Sequence, residues 1–135
     1  MSEYRVVEVE FRNESVLIEA LQSMGYKPET HNKAQQLEGY RGDKRQQKAH
    51  VIIPRKQVGG ASNDVGFERV EKSFKLHASQ YDRAWREGGQ KLKKLKQTYS
   101  EKFVIRKIRK NSKMSLRSRT LTEDGKIKLK VRTLI

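Results

Sequence analysis

Apolar and acidic residues alternate at the start of the chain, where Val7, Val9 and Phe11 are separated by glutamates. An alternation with a period of two is typical of a β-strand that buries one face. The sequence therefore predicts a first strand around Val7.

The next apolar residues recur at helical spacing over residues 14–24. Asn13 has a side chain that caps helix N-termini, and Gly25 suits the left-handed conformation that ends helices. The sequence predicts a short amphipathic helix here, with the apolar residues Leu17, Ala20, Leu21 and Met24.

Two strand pairs are predicted in the middle of the chain. Residues 27–35 are polar and contain a proline, which favours a connecting loop. Residues 37–41 and 49–53 then form a hairpin that ends before Pro54. The second pair is predicted at residues 64–67 and 74–78, with a turn near Glu71 and Lys72 and a flexible loop at residues 58–63 between the pairs.

A long helix is predicted over residues 90–110, because Leu92, Leu95, Tyr99 and Phe103 form one stripe at spacings of three and four. Val104 and Ile108 lie off this stripe. Either the helix bends near residue 103, or it buries a second face in its last two turns, and the sequence leaves both open. Asn111 is the predicted C-terminal cap.

The chain ends with a predicted β-hairpin formed by residues 116–122, a turn at residues 123–125 and a strand at residues 126–133. In the last strand, apolar residues alternate with cations, which indicates one buried face and one charged face.

This order of elements predicts an α+β fold in one domain over residues 1–135. We expect a single antiparallel sheet with both long helices on one face, close to a split β-α-β arrangement, and the C-terminal hairpin joined to that sheet.

Charge is distributed unevenly along this domain. Residues 81–135 contain 18 Lys and Arg against 5 Asp and Glu, whereas residues 1–80 contain 13 against 11, so the net charges are +13 and +2. A concentrated positive field is expected of a protein that binds a polyanion, because Lys and Arg displace the counterions that phosphates condense. The candidate nucleic-acid-binding residues are Lys91, Lys93, Lys94, Lys96, Lys102, Arg106, Lys107, Arg109, Lys110, Lys113, Arg117, Arg119, Lys126, Lys128, Lys130 and Arg132.

Some of these residues have a second interpretation. The cations of the long helix are also compatible with a charged face that is only solvated, although such faces usually mix signs and Glu101 is the only acid between Lys91 and Lys113. The cations of the last strand are equally suited to contact phosphates and to prevent the pairing of an edge strand with other chains. Tyr40, Tyr81 and Trp85 are suited to stack on bases, but the same rings are also suited to pack in the core or at its rim.

Catalytic and metal-binding signals are weak. The chain has no cysteine, which excludes disulfides, thiolate zinc sites and cysteine nucleophiles. His31, His50 and His77 lie in separate elements, and the loop at Gly59 and Gly60 lacks the lysine of a phosphate loop. We therefore expect no enzymatic activity, no cofactor and no small-molecule substrate. The absence of a long apolar segment predicts a soluble protein without a membrane partner.

Six stretches of the chain, taken in their order and spacing, carry a resemblance to a known family: residues 21–26, 39–42, 64–67, 74–76, 97–99 and 123–129. They are similar to the conserved family called plastid hypothetical reading frame thirty-five, or domain of unknown function twelve fifty-seven, of plastids, cyanobacteria and other bacteria. The resemblance implies no known catalytic residues. It implies an AAA-type ATPase as a protein partner, since bacterial members tend to be encoded near one. The expected location is the cytoplasm or an organelle interior such as the plastid stroma.

Two functions remain open from the sequence. The first is a non-catalytic nucleic-acid-binding accessory protein, with RNA favoured over DNA because no groove-reading helix motif is recognisable; a ribonucleoprotein or ribosome-associated subunit is one form of it. The second is an interaction subunit or adaptor whose cations meet an acidic protein partner such as the ATPase.

Overall fold

The elements of the protein are taken from a computed structural model, which describes residues 4–110, 114–121 and 127–133. Two long helices, seven strands and two short helical turns are present in this part of the chain. In chain order they are β1 (Tyr4–Glu8), α1 (Glu14–Ser23), β2 (Glu29–Glu38), β3 (Lys44–Ile53), the single turn α2 (Arg55–Val58), β4 (Val65–Val70), β5 (Ser73–Ser79), a 3₁₀ turn (Arg83–Trp85), α3 (Gln90–Lys110), β6 (Met114–Leu121) and β7 (Ile127–Thr133).

Five strands form one antiparallel sheet in the order β1-β5-β4-β3-β2. Four successive antiparallel pairings leave β1 and β2 parallel to each other at opposite edges, with α1 as the connection between them. This is the split β-α-β arrangement expected from the sequence, and the predicted α+β class is confirmed.

The C-terminal hairpin is present but does not join this sheet. Strands β6 and β7 pair with each other in a separate two-stranded sheet, with Met114 opposite Thr133 and Leu121 opposite Ile127. The expectation that they extend the main sheet is therefore wrong. Both hairpin strands contact α3 instead, so the helix that precedes them provides the packing that the sheet edge was expected to provide. The predicted turn at residues 123–125 and the predicted cap Asn111 lie outside the described residues.

The first two strands differ from the sequence prediction. The first strand ends at Glu8, and the buried side chains of Val9 and Phe11 follow it. Residues 27–35, predicted as a loop, contribute most of β2, which is held by backbone pairing with β3. β2 is an edge strand with mostly exposed side chains, so it lacks the apolar alternation by which strands are recognised.

Helices α1 and α3 both pack on one face of the sheet, as predicted. Val16, Leu17, Ala20 and Leu21 of α1 are buried in the same cluster as the apolar residues of α3 and of the inner strands. The predicted cap is present, because the Asn13 side-chain oxygen accepts a hydrogen bond from the Val16 backbone N–H at 3.1 Å. Gly25 follows the helix with a φ of +96°, in the left-handed region that favours glycine.

Helix α3 buries two faces. Leu92, Leu95 and Tyr99 point into the main core, whereas Val104 is 39% exposed and Ile108 is only 4% exposed. Nine residues separate Tyr99 from Ile108, which places them about half a turn apart around the helix. Ile108 is therefore buried away from the stripe, as the second alternative expects, but Val104 is not, so the second buried face is limited to the last turn. The hairpin strands contact the same helix.

Tyr99 also fixes the position of α1. Its hydroxyl accepts hydrogen bonds from the backbone N–H groups of Arg12 and Asn13, at 3.1 and 3.0 Å. Its ring lies 4.7 Å from that of Phe11, centroid to centroid. One side chain of α3 thus binds the chain at the point where α1 begins.

The assigned face of α3 predicts different effects for two neighbouring residues. Leu95→Ala should lower the free energy of unfolding by about 2–5 kcal/mol, because it leaves a cavity in the core. Lys94→Ala, at an exposed position, should change it by less than about 0.5 kcal/mol. Urea denaturation of both variants measures the free energy of unfolding. Equal losses of this free energy would contradict the assignment of Leu95 to the buried face of α3.

The hydroxyl of Tyr99 should contribute to stability separately from its ring. Tyr99→Phe keeps the ring packing but leaves two backbone N–H groups without their acceptor, so we expect a loss of about 1–2 kcal/mol. Tyr81→Phe is the matched control, because Tyr81 is 69% exposed. Thermal unfolding of the two variants compares them; a Tyr99→Phe protein as stable as the control would show that these hydrogen bonds do not stabilise the fold.

Candidate nucleic-acid interface

The predicted cations of α3 are accessible, with two partial exceptions. Lys102 and Arg106 are half-buried. The exposed members are Lys91, Lys93, Lys94, Lys96, Lys107, Arg109 and Lys110. Glu101 is the one acidic residue of this helix, so the positive charge of α3 is scarcely compensated within the helix itself.

Most of these cations flank the buried stripe, so they do not form a single outward face. At 3.6 residues per turn, Lys93, Lys96 and Lys107 lie on one side of the stripe, and Lys102 and Arg109 lie on the other. Two of the lysines also cover aromatic rings. The ammonium nitrogen of Lys107 lies 4.7 Å from the centre of the Phe103 ring, and that of Lys91 lies 5.9 Å from the centre of the Tyr26 ring.

Four cations converge on a groove between α1 and α3, which we call the basic groove. Its volume is about 410 Å³, and among the described residues one acid, Glu19, shares it with the cations. The lining residues are Glu19, Lys102, Ile105, Arg106, Arg109 and Lys110.

Arg106 is held in this groove by α1. One guanidinium nitrogen donates to the Glu19 carboxylate at 2.8 Å, and the other donates to the Ser15 hydroxyl at 2.9 Å. Within the part of the chain that is described, no ion pair involves Lys102, Arg109 or Lys110. Three cations of the groove are therefore available to an external anion, while the fourth is positioned by the protein.

The remaining predicted cations lie in or beside the C-terminal hairpin. Lys113 and Lys126 lie outside the described residues. The backbone of the hairpin carries Arg117 and Arg119 on β6, and Lys128, Lys130 and Arg132 on β7. In the hairpin, Lys128 lies opposite Thr120, Lys130 opposite Ser118 and Arg132 opposite Ser115.

The three candidate stacking residues have different environments. Trp85 is 2% exposed and packs on Tyr26 at 5.5 Å between ring centroids, so it belongs to the core. Tyr81 is 69% exposed. Tyr40 is half-buried, and the guanidinium of Arg41 lies 5.2 Å from the centre of its ring. Core packing is thus confirmed for Trp85, while stacking of Tyr40 and Tyr81 on bases stays a prediction.

A pair of buried polar residues connects the loops that carry these tyrosines. The two carboxylate oxygens of Asp64 accept hydrogen bonds from the backbone N–H groups of Glu38 and Arg55, at 2.8 and 2.7 Å. The side-chain oxygen of Asn63 accepts one from the backbone N–H of Tyr40 at 2.9 Å. Burial raises the pKa of Asp64 above its ordinary value, and the two N–H groups oppose this by favouring the charged form.

The sequence places Asn63 in a loop and Asp64 at the start of a strand. The hydrogen bonds of their side chains to distant backbone groups were not predicted. The available signal was an Asn-Asp pair directly before an apolar strand, since both side chains readily bind backbone groups. Their partners lie 9 to 26 residues away in sequence, which composition alone does not reveal.

The histidines have separate partners. His77 Nε2 lies 2.9 Å from a Glu68 carboxylate oxygen, and the His50 ring accepts a hydrogen bond from the Arg69 backbone N–H at 2.9 Å. Across the described ranges, no group of three or more His, Asp or Glu side chains is arranged to hold a metal ion. Nor does any helix in those ranges have the length and apolar character needed to span a membrane.

Comparison with known proteins identifies one protein family. No curated protein and no solved structure gives a significant match to the chain. A family model described as "Protein of unknown function (DUF1257)" matches residues 20–130, which extend from within α1 into β7 and include the α3 residues of the basic groove and the loops of Asn63 and Asp64, but not Glu19. The chain therefore belongs to the DUF1257 family.

Proposed function

We propose that this protein is a non-catalytic RNA-binding accessory protein that holds the phosphate backbone in the basic groove. The observation that supports it most is the convergence of Lys102, Arg106, Arg109 and Lys110 around one groove. A ribonucleoprotein or a ribosome-associated particle is the setting that fits such a protein.

The chemistry of the groove suits phosphate. A guanidinium presents its N–H donors in a planar fork that matches phosphate oxygens, and lysines add mobile point charges. Arg106 is already oriented by Ser15 and Glu19, so less conformational freedom is lost when an anion binds. The three other cations supply the charge that Glu19 takes away.

RNA is favoured over DNA because the sequence contains no recognisable helix motif that reads a DNA groove. Helix α3 is attached to the core by Leu92, Leu95 and Tyr99, and most of its cations lie on the two flanks of this stripe. Cations in this arrangement suit contacts with the phosphate backbone of a single strand or a loop, as RNA-binding proteins commonly make them.

The proposed groove makes a prediction about salt dependence. The triple variant Lys102→Gln, Arg109→Gln, Lys110→Gln should bind a mixed-sequence RNA more weakly than the wild type. Its slope of log affinity against log salt concentration should be smaller by about 2, since each phosphate contact to a single strand contributes about 0.7. The loss should be similar for all RNA sequences, because phosphate contacts do not read bases. Titrations at several salt concentrations measure both quantities.

A matched control separates the groove from the net charge. Lys33→Gln, Lys48→Gln, Lys56→Gln removes the same charge from exposed positions in the nearly neutral part of the chain. It should keep a slope close to that of the wild type. If both triple variants lost the same RNA affinity and the same salt slope, the proposal that the groove binds phosphate would be contradicted. A wild type that shows no salt-sensitive RNA binding, but retains a protein partner after nuclease treatment, would favour the interaction-subunit alternative.

A further inference from the structure

We propose that Tyr81, together with the stacked pair Tyr40 and Arg41, forms a site that stacks the bases of single-stranded RNA beside α3. We call these three residues the tyrosine surface. The inference rests on the proposed RNA-binding function and adds to it a second kind of contact, with bases in place of phosphates.

The loops that carry the tyrosine surface are held together by Asn63. Its side-chain oxygen accepts from the Tyr40 backbone N–H, and its own backbone N–H donates to the Asp82 carboxylate at 3.4 Å. Asp82 directly follows Tyr81 in the chain. One buried residue thus connects the loop of Tyr40 to the loop of Tyr81, which are about forty residues apart in sequence.

The backbone at Tyr81 is fixed, although its side chain is exposed. The Tyr81 N–H donates to the Ser79 hydroxyl at 3.2 Å, and the Asp82 N–H donates to the Ser79 carbonyl at 3.0 Å. Buried Trp85 anchors the segment a few residues later. A ring on a fixed backbone loses little conformational freedom when a base stacks on it, which favours binding.

Tyr81 differs from tyrosines that the fold uses. The hydroxyls of Tyr4 and Tyr99 bond to backbone groups, and the ring of Tyr26 packs on Trp85. The ring of Tyr81 is 69% exposed. An aromatic face in solvent next to cationic side chains is the arrangement by which proteins bind single strands without regard to sequence.

The tyrosine surface leads directly into the cationic helix. Arg83 is exposed in the 3₁₀ turn after Tyr81, and this turn contacts α3, which begins at Gln90. Helix α3 has 21 residues and is therefore about 31 Å long. A strand whose bases stack at Tyr81 can extend its phosphates along this helix, within the range of about 4 to 16 nucleotides that single-strand sites occupy. Bases in a duplex are already stacked on each other, so the site selects single strands.

The test compares two oligomers and two variants. The oligomers are a ten-nucleotide single-stranded RNA of mixed sequence and an oligomer of the same length in which every base is absent. The variants are Tyr81→Ala and Tyr81→Phe, which removes only the hydroxyl. Both should melt at the wild-type temperature, because the side chain is exposed. Tyr81→Ala should weaken binding of the RNA by at least about fivefold, at the lower end of the range for one stacked base. It should leave binding of the abasic oligomer unchanged, and Tyr81→Phe should behave as the wild type with both.

The other outcomes overturn the proposal in distinguishable ways. If Tyr81→Ala binds the RNA as tightly as the wild type, the tyrosine surface is wrong while the phosphate-binding groove stands. Equal losses for the RNA and the abasic oligomer would show that Tyr81 does not contact bases. If the wild type binds neither oligomer, the proposed function and the tyrosine surface fail together.

Discussion

The structure depends on how a strongly cationic helix is held against a core. Helix α3 contains nine Lys and Arg among 21 residues, and like charges at spacings of three and four repel one another. Its attachment comes from a narrow stripe, of which Leu92, Leu95 and Tyr99 are the buried members on the core side. Since this stripe fixes the rotation of the helix, it also decides that most of the cations lie along its two flanks. The distribution of positive charge on the surface is thus a consequence of core packing.

The same contacts that place α1 create the basic groove. Tyr99 binds the backbone where α1 begins, and Arg106 binds Ser15 and Glu19 on its surface. Because the groove lies between the two helices, its width depends on these bonds. Glu19 therefore has two opposed effects, since it positions Arg106 but also neutralises part of the charge that an external anion would meet.

Sequence patterns revealed the parts of the fold whose signals are local. The stripe of α3, the Asn13 cap and the Gly25 terminus each depend on residues within a few turns of one another, and all are present. Strand β2 was missed because an exposed edge strand needs no apolar alternation; it forms because β3 supplies its hydrogen bonds. For the candidate site, composition was enough to identify the cations. It was not enough to predict the basic groove, in which four of them come together. The hydrogen bonds of Asn63 and Asp64 could not be predicted either, because their partners come from other loops.

Charge alone does not select RNA, because a cationic helix attracts acidic proteins and nucleic acids alike. Discrimination requires a second feature that suits one polyanion better than the other. An aromatic ring with a free face offers stacking to every base, whereas an acidic protein surface presents carboxylates, which gain little from a tyrosine face because its π-electrons are also negative. Trp85 and Tyr26 pack on each other, while the ring of Tyr81 stays in solvent at the beginning of the cationic segment. In the proposed function, the position of this one ring, more than the number of lysines, is therefore the feature by which a nucleic acid is distinguished from an acidic protein.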